Sequence, residues 1–236
     1  NVFYNTIYIA VFKLLLGILV PVIFALLLNE IKNRLFSGYV QTVTCLPYFL
    51  SWVILGGIFT SILSPSNGII NEVIRFFGGD PVYFLGSNDT FPWTLIITDT
   101  WKNFGYSSIV YLAAMSSIDP ALYEAAEMDH ATQWQKFRDI TLPELKPLCV
   151  FVFITVTIGA FRMLVQPMVM TGGGPDHSTY TIVYDIYETG TVNWEMGLAS
   201  TMAIVFTIFV VVLTIIQNVL TKDKEERHVN KKTTRS

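Results

Sequence analysis

Residues 197–220 read GLASTMAIVFTIFVVVLTIIQNVL, a run of 24 residues without Asp, Glu, Lys or Arg. Four other stretches of 23 to 25 residues carry almost no charge: 6–28, 40–63, 93–117 and 148–170. About 20 apolar residues in a helix cross a hydrocarbon core of about 30 Å. The sequence therefore predicts an all-α, polytopic transmembrane helical bundle with about five spans.

Composition excludes an ordinary soluble protein. Hydrophobic residues make up 52% of the 236 residues, the mean hydropathy is +0.51, and 14% are charged, against about 25% in soluble domains. Both cysteines, Cys45 and Cys149, fall at or near predicted spans and are expected to be free thiols. The three histidines, His130, His177 and His228, are far apart and predict no metal site.

The basic residues predict the orientation, because Lys and Arg accumulate beside span ends on the cytoplasmic side. Three segments assigned to one side, 29–39, 118–147 and the chain after Leu220, carry eleven of the fifteen: Lys32, Arg34, Lys136, Arg138, Lys146, Lys222, Lys224, Arg227, Lys231, Lys232 and Arg235. The two segments assigned to the other side carry one, Arg75. Loop 118–147 and the tail are therefore expected in the cytoplasm.

This orientation sets the domain organisation. Residues 1–221 are predicted to form one transmembrane domain, and 222–236 a basic cytoplasmic tail. Residues 69–77 are predicted to form a short amphipathic helix at the outer membrane surface. The first span begins outside the cytoplasm, and Asn1 is not an initiator Met. We therefore expect at least one earlier span in the full protein.

Loop 118–147 contains residues typical of helix ends, and they predict two short helices joined by a turn. Asp119 is expected to cap the first helix, with Pro120 at its first position. Thr132 and Gln135 form a capping box for the second. Pro143 is expected to mark the return to the membrane.

The same loop carries a resemblance to a known family. Glu124-Ala125-Ala126 is followed after three residues by His130, and after nine more by Ile140-Thr141-Leu142-Pro143. This pattern resembles the Glu-Ala-Ala signature of the membrane-spanning (permease) subunits of type I ABC importers. Every anchor matches except at His130, where the family has Gly.

The resemblance implies a coupling loop that docks a separate ATPase subunit. The residues expected at the docking surface are Glu124, Ala125, Ala126, Glu127, Asp129, His130, Ile140, Leu142 and Pro143. It further implies a second permease subunit, two ATP-binding subunits and an extracytoplasmic solute-binding protein. ATP and Mg²⁺ are expected in those ATPase partners. In this chain we expect no cofactor, enzymatic activity or nucleic-acid partner.

His130 is the departure from the pattern. Gly permits a positive φ without steric cost, whereas His enters the left-handed region less easily. We expect the turn to persist with strain of about 1 kcal/mol, so that docking is tuned rather than lost.

A second set of motifs resembles the carbohydrate-importing branch. It comprises Met170-Thr171-Gly172-Gly173-Gly174-Pro175 after the fourth span and Gly197-Leu198-Ala199-Ser200 at the last. The glycine run is not read as a nucleotide loop, because it lacks the Gly-Lys-Ser/Thr ending. The resemblance implies a sugar or oligosaccharide substrate, a multi-pass location in a bacterial or archaeal cell membrane, and contact with lipid.

Sugar sites of this branch lie in mid-membrane, and the helix before the glycine run contributes to them. Arg162 and Gln166 are four apart and are expected on one helix face, with Met163 beside them. An Arg in mid-span costs about 2.5–3.5 kcal/mol on insertion scales, so it is expected to face a cavity or a partner. The alternative is a structural pair between Arg162 and Asp99. Lys13 is expected to snorkel.

Other functions remain open at this level. A permease for peptides, amino acids or metals is the first alternative, and a secondary transporter or channel the second. The latter predicts inverted repeats or paired broken helices, which the sequence does not suggest, and leaves the Glu-Ala-Ala loop unexplained. A membrane-embedded enzyme would need a convergent catalytic set, and none is apparent in the sequence.

Overall fold

A computed structural model describes residues 2–31 and 33–233, with side chains to residue 221. The described residues are helical and contain no strand, as the all-α prediction requires. They fall into two compact units. Unit 1 comprises the described residues of Asn1–Leu14, Leu50–Thr98 and Ile154–Ser236, and unit 2 comprises Leu15–Phe49 and Asp99–Phe153.

Eleven α-helices follow in chain order within the described residues. They are α1 (Val2–Asn29), α2 (Arg34–Cys45), α3 (Trp52–Ile62), α4 (Ile69–Phe76), α5 (Phe91–Ser116), α6 (Pro120–Met128), α7 (Gln133–Lys136), α8 (Leu142–Phe161), α9 (Val165–Thr171), α10 (Ile182–Tyr187) and α11 (Met196–Thr233). A 3₁₀ turn at Leu46–Phe49 and two π turns, Phe137–Thr141 and Glu188–Val192, lie between them.

Three helical stretches of the described chain are long and apolar enough to cross a membrane: Val2–Asn29, Gln133–Phe161 and Met196–Thr221. The pair Arg34–Phe49 and Trp52–Ile62 would add a fourth as a broken span. Helix α5 has 26 residues, close to the predicted 93–117, but it includes Asp99, Lys102 and Asn103 and is less apolar. The prediction of about five spans is therefore approximate.

The second predicted span, 40–63, is interrupted. Helix α2 ends at Cys45, the chain tightens at Leu46–Phe49, and α3 begins at Trp52. Pro47 has no N–H to donate to a continuing helix. The Ser51 hydroxyl then accepts a hydrogen bond from the Val53 N–H (3.2 Å) and caps α3.

The fourth predicted span, 148–170, has different limits. Its helix begins at Gln133 and runs through the π turn at Phe137–Thr141 into α8, so the loop's second helix is not short. This helix continues through Pro143, the residue expected to mark the return to the membrane. The helix instead ends at Phe161, and α9 begins at Val165.

Pro167 explains the break at residues 162–164. It lacks the N–H that would bond the carbonyl of Met163, and its ring would clash with that carbonyl in a continuous helix. As the third residue of α9, Pro167 lies in a first turn, where proline is tolerated. The freed Met163 carbonyl accepts a hydrogen bond from the Thr181 hydroxyl at 2.9 Å.

Unit 1 has an apolar core of small and aromatic side chains. Ala10, Ala160 and Phe161 are buried and pack against Ile7, Phe206, Phe209, Val210 and Leu213. Gly56 of α3 lies close to Val169, since a Cβ added there would be 2.6 Å from the valine Cγ1. Glycine at this position therefore lets α3 and α9 pack closely. No atom lies within 4 Å of the same position on Gly57.

Unit 1 also holds the predicted surface helix, α4, which ends one residue before the predicted 69–77. Its Asn71 is fully buried and bonded at both ends of its amide. Nδ2 donates to the carbonyls of Ser64 and Val82 (each 3.1 Å), and Oδ1 accepts from the Val82 N–H at 2.7 Å. One asparagine therefore holds both turns that flank the helix.

Unit 2 is held by aromatic contacts and one close backbone approach. The rings of Phe24 and Phe104 meet edge to face at 4.9 Å, and those of Tyr48 and Tyr106 stack at 3.9 Å. A Cβ on Gly105 would lie 2.1 Å from the carbonyl oxygen of Thr44. Glycine is required there, because backbone cannot move aside as a side chain can.

Candidate functional site

The first helix of the loop, α6, begins as the sequence predicts. The Asp119 side chain accepts a hydrogen bond from the Ala121 N–H at 3.0 Å, and Pro120 occupies the first helical position. A carboxylate at this position also interacts favourably with the positive end of the helix dipole. The start of α6 is thus fixed by its own sequence.

His130 lies in the left-handed region, with φ of 54°. The Ala131 N–H bonds to the Ala126 carbonyl (2.9 Å) and the His130 N–H to the Glu127 carbonyl (3.0 Å). These are the two bonds of a Schellman motif, whose left-handed residue is usually Gly. The turn is therefore made as expected, with His130 in the conformation that the family's Gly adopts freely.

The second helix is fastened to the first by its cap and by two side-chain contacts. The Thr132 and Gln135 capping box is present. Lys136 Nζ donates to Glu127 Oε1 at 2.7 Å, and the hydroxyls of Tyr123 and Thr141 are 2.8 Å apart. Tyr123 and Glu127 are one helical turn apart, so they secure one face of α6.

The charge state of Glu127 is set by this contact. The hydrogen bond from Lys136, with its positive charge, lowers the pKa of the Glu127 carboxyl below its ordinary value. Arg138 and Asp139 form a second ion pair (2.7 Å). Both members of the Arg138 pair are more than half exposed, so it contributes little stability.

The opposite face of α6 is open. Glu124 and Ala125 are exposed, Ala126 is half-buried, and Met128 is 82% exposed. On the second helix, Trp134 is 65% exposed. The loop is a fastened hairpin that presents small, acidic and apolar side chains.

The other predicted docking residues are distributed along the same hairpin. Asp129 and His130 are exposed at the turn, Leu142 and Pro143 are exposed on the helix that follows, and Ile140 is half-buried. Most of the predicted docking set is therefore accessible in this chain, whereas Ala126 and Ile140 are half-buried.

A groove of about 450 Å³ adjoins the second helix in unit 2. Its apolar wall comes from the end of α1 and from two aromatic rings of the loop, and the polar rim includes Glu30 and Lys136. The wall residues are Ile23, Leu26, Leu27, Trp134 and Phe137. Beside its exposed face, the loop thus has an apolar recess.

The predicted substrate-path residues lie at the break between α8 and α9. Arg162 is exposed, whereas Met163 and Gln166 are buried. The expectation that Arg162 and Gln166 share one helix face is wrong, because the helix stops between them at residues 162–164.

The Gln166 side chain bonds within unit 1. Nε2 donates to the Leu95 carbonyl (2.8 Å) and to the Thr98 hydroxyl (3.0 Å). Oε1 accepts from Lys13 Nζ at 3.4 Å, and Met163 Sδ lies 3.2 Å from the same nitrogen. The Gln166 amide is thus engaged by the protein itself.

Lys13 is the functional candidate that sequence reasoning missed. It was expected to snorkel, yet it is 7% exposed and bonds inward to Gln166 and Met163. The position of Lys13 in the sequence could have indicated this burial. It lies eleven residues, or about 17 Å, from the start of α1, which is far for a side chain that must reach the membrane surface. In unit 2, Lys102 donates to the Tyr48 carbonyl at 2.6 Å.

Among the residues that the structure describes, no cluster of three or more His, Cys, Asp or Glu side chains could hold a metal ion. Cys45 and Cys149 are free thiols, as expected.

Residues 17–225 match the family model for the inner membrane component of binding-protein-dependent transport systems. The chain belongs to this family. It is thus a transport component with several apolar helices, in agreement with the resemblance read from the Glu-Ala-Ala loop.

Two curated relatives are named for sugar transport. The chain is 41% identical over 150 residues to the polygalacturonan/rhamnogalacturonan transport system permease protein YteP of Bacillus subtilis (strain 168), a match that covers 64% of this chain and 47% of the relative. It is 34% identical over 218 residues to the lactose transport system permease protein LacF of Rhizobium radiobacter, covering 90% and 72%. The chain thus spans about half the length of the first relative.

A solved bacterial ABC transporter, involved in import of the acidic polysaccharide alginate, has a chain with the same fold. The TM-score is 0.87 at 32% identity, over 94% of this chain and 78% of that one. A second structure of the alginate transporter is in complex with a periplasmic protein that holds an alginate pentasaccharide (TM-score 0.88, 32% identity, 94% and 77% covered). The fold and the sugar-permease resemblance predicted from sequence are confirmed.

Proposed function

We propose that this chain is a membrane-spanning subunit of an ATP-driven importer for a sugar or oligosaccharide in a bacterial or archaeal cell membrane. It would form the path with a second permease subunit and receive substrate from an extracytoplasmic binding protein. Two partner subunits would bind ATP and Mg²⁺ and hydrolyse the nucleotide. Membership of the family and the sugar-transport names of the relatives support this assignment.

The fastened hairpin of the loop is the observation that carries the proposal. A loop that transmits motion must be stiff and must offer a free surface. The contacts of Glu127 with Lys136 and of Tyr123 with Thr141 supply the stiffness, while Glu124 and Ala125 supply the surface. We assign this surface to the ATPase partner and place it on the cytoplasmic side, where the basic residues predict it.

The substrate path is proposed to pass Arg162 at the break. Its guanidinium is exposed in this chain, and five N–H donors suit sugar hydroxyls as well as carboxylates. Met163 and Gln166 are buried, and we assign them a supporting role in the path.

Arg162 favours an acidic glycan over a neutral one. Guanidinium binds carboxylate in a bidentate, charge-assisted manner, which a neutral hydroxyl cannot match. Two of the named substrates, polygalacturonan and alginate, are polymers of uronic acids. The lactose relative leaves a neutral sugar as the second candidate.

Thermal unfolding of the purified complex tests the substrate class, because a ligand that binds the native state raises its stability by mass action. Short oligogalacturonates should raise the midpoint, and lactose at equal concentration should raise it less. Protection by a peptide, an amino acid or a metal ion, with none by either sugar, would move the assignment to another solute class.

A further inference from the structure

The break between α8 and α9 lacks a helix cap. Leu164 occupies the N-cap position of α9 and its side chain makes no cap hydrogen bond. A bare end of this kind needs other contacts to hold one conformation. In unit 1, Gln166 of α9 makes such contacts with neighbouring helices.

Gln166 joins three helices. From α9, its Nε2 donates to the Leu95 carbonyl and the Thr98 hydroxyl of α5, and its Oε1 accepts from Lys13 of α1. The residue is 2% exposed. At such burial each lost partner leaves a polar atom desolvated, so the contacts hold the α9 end in place together.

Lys13 is an unusual member of this network. It is a cationic residue near the middle of an apolar span and is 7% exposed. Ionisable residues so placed are costly and tend to be functional. Its ammonium lies 3.4 Å from Gln166 Oε1 and 3.2 Å from Met163 Sδ, so it contacts residues on both sides of Leu164.

We propose that Lys13 is a positioning residue: through Gln166 and Met163 it fixes the break that presents Arg162. It acts on the substrate path without touching substrate. The role of Lys13 in transport rests on the proposed function, whereas its role in fixing the conformation of residues 162–164 does not. The two can therefore be tested apart.

Thiol labelling reports the break directly. In a complex whose Cys45 and Cys149 are replaced by Ala, Arg162→Cys gives one reporter thiol in this chain, and its reaction rate with a small maleimide is measured. Losing a hydrogen bond to a charged group shifts a local equilibrium by about tenfold, so Lys13→Met should change the labelling rate by up to about that factor. Lys13→Arg, which keeps the charge, should restore most of the original rate.

Lys102→Met is the matched control. Lys102 is equally buried (7% exposed) but donates to the Tyr48 carbonyl. Its replacement should lower thermal stability comparably and leave the labelling rate of the reporter thiol unchanged. Equal rates in the Lys13→Met and Lys102→Met variants would overturn the proposal. Oligogalacturonate protection against thermal unfolding, measured in the complex that retains Arg162, tests the proposed function separately, since its absence would leave the positioning result intact.

Discussion

Lys136 Nζ lies 2.7 Å from Glu127 Oε1, and this pair joins the two helices of the loop across the turn at His130. The lysine side chain is 11% exposed and the glutamate 67%. The largely covered lysine side chain anchors the pair to the second helix. The ionised state of Glu127 therefore helps to hold the two helices of the loop together.

This pair predicts a pH dependence of the hairpin. The bond lowers the pKa of Glu127 in the folded loop, so its stabilising contribution is present above the ordinary glutamate pKa and is lost as pH falls through the folded value. A carbon-13 titration of the Glu127 carboxyl should give a midpoint below the usual one. Lys136→Met should return it towards normal, while Lys146→Met should not. If Lys136→Met left the titration midpoint of Glu127 unchanged, the ion pair between the two residues would be contradicted.

The left-handed turn predicts a stabilising substitution. His130 has φ of 54°, where a side chain costs about 1 kcal/mol relative to Gly. His130→Gly should raise the unfolding midpoint of the complex, and His130→Val, which is β-branched, should lower it. If His130→Gly lowered the midpoint, the imidazole would be making a contact that outweighs the strain.

Glycine packing predicts a sharp contrast between two alanine substitutions, Gly105→Ala in unit 2 and Gly159→Ala in unit 1. Gly105→Ala would place a Cβ 2.1 Å from the Thr44 carbonyl oxygen, and overpacking of this kind typically costs about 1–3 kcal/mol. Gly159 lies in α8 with no atom within 4 Å of its added Cβ, so Gly159→Ala should stabilise by up to about 1 kcal/mol. Equal midpoints for the two variants would show that helices α2 and α5 do not approach as described.

Sequence predicted the loop better than it predicted the spans. Asp119, Thr132 and His130 act through neighbours close in sequence, so their roles can be read locally. The break at 162–164 has a local cause in Pro167, but the helical spacing of Arg162 and Gln166 concealed it. Knowing that proline displaces the carbonyl four residues earlier would have located it.

The Lys13 network could not be predicted in the same way. Its partner Gln166 is 153 residues away in the sequence. Hydrophobic patterning predicts where the helices are but not which helices pack against each other. A lysine in an apolar span is compatible with snorkelling, with a partner or with a path. The structure decides among these because it shows where the ammonium lies.

The path assignment predicts substrate-dependent effects at Arg162. Arg162→Ala should reduce uptake of an oligogalacturonate by about tenfold or more, since a charge-assisted hydrogen bond contributes about 1.5–3 kcal/mol. Uptake of a neutral disaccharide, if it is carried, should fall less. Arg162→Lys retains the charge but not the bidentate geometry, so uptake by this variant should lie between that of the original protein and that of Arg162→Ala. Unchanged uptake and preference in Arg162→Ala would remove this residue from the path.

Docking of an ATPase on the exposed face of α6 is the central claim, and co-purification of the ATPase subunits with the permease subunits tests it most directly. Glu124→Lys should abolish or strongly reduce the amount of ATPase recovered, because it reverses the charge on that face. Glu72→Lys, the same reversal on exposed α4, should leave recovery unchanged. Full recovery and unaltered ATP hydrolysis with Glu124→Lys would contradict the account.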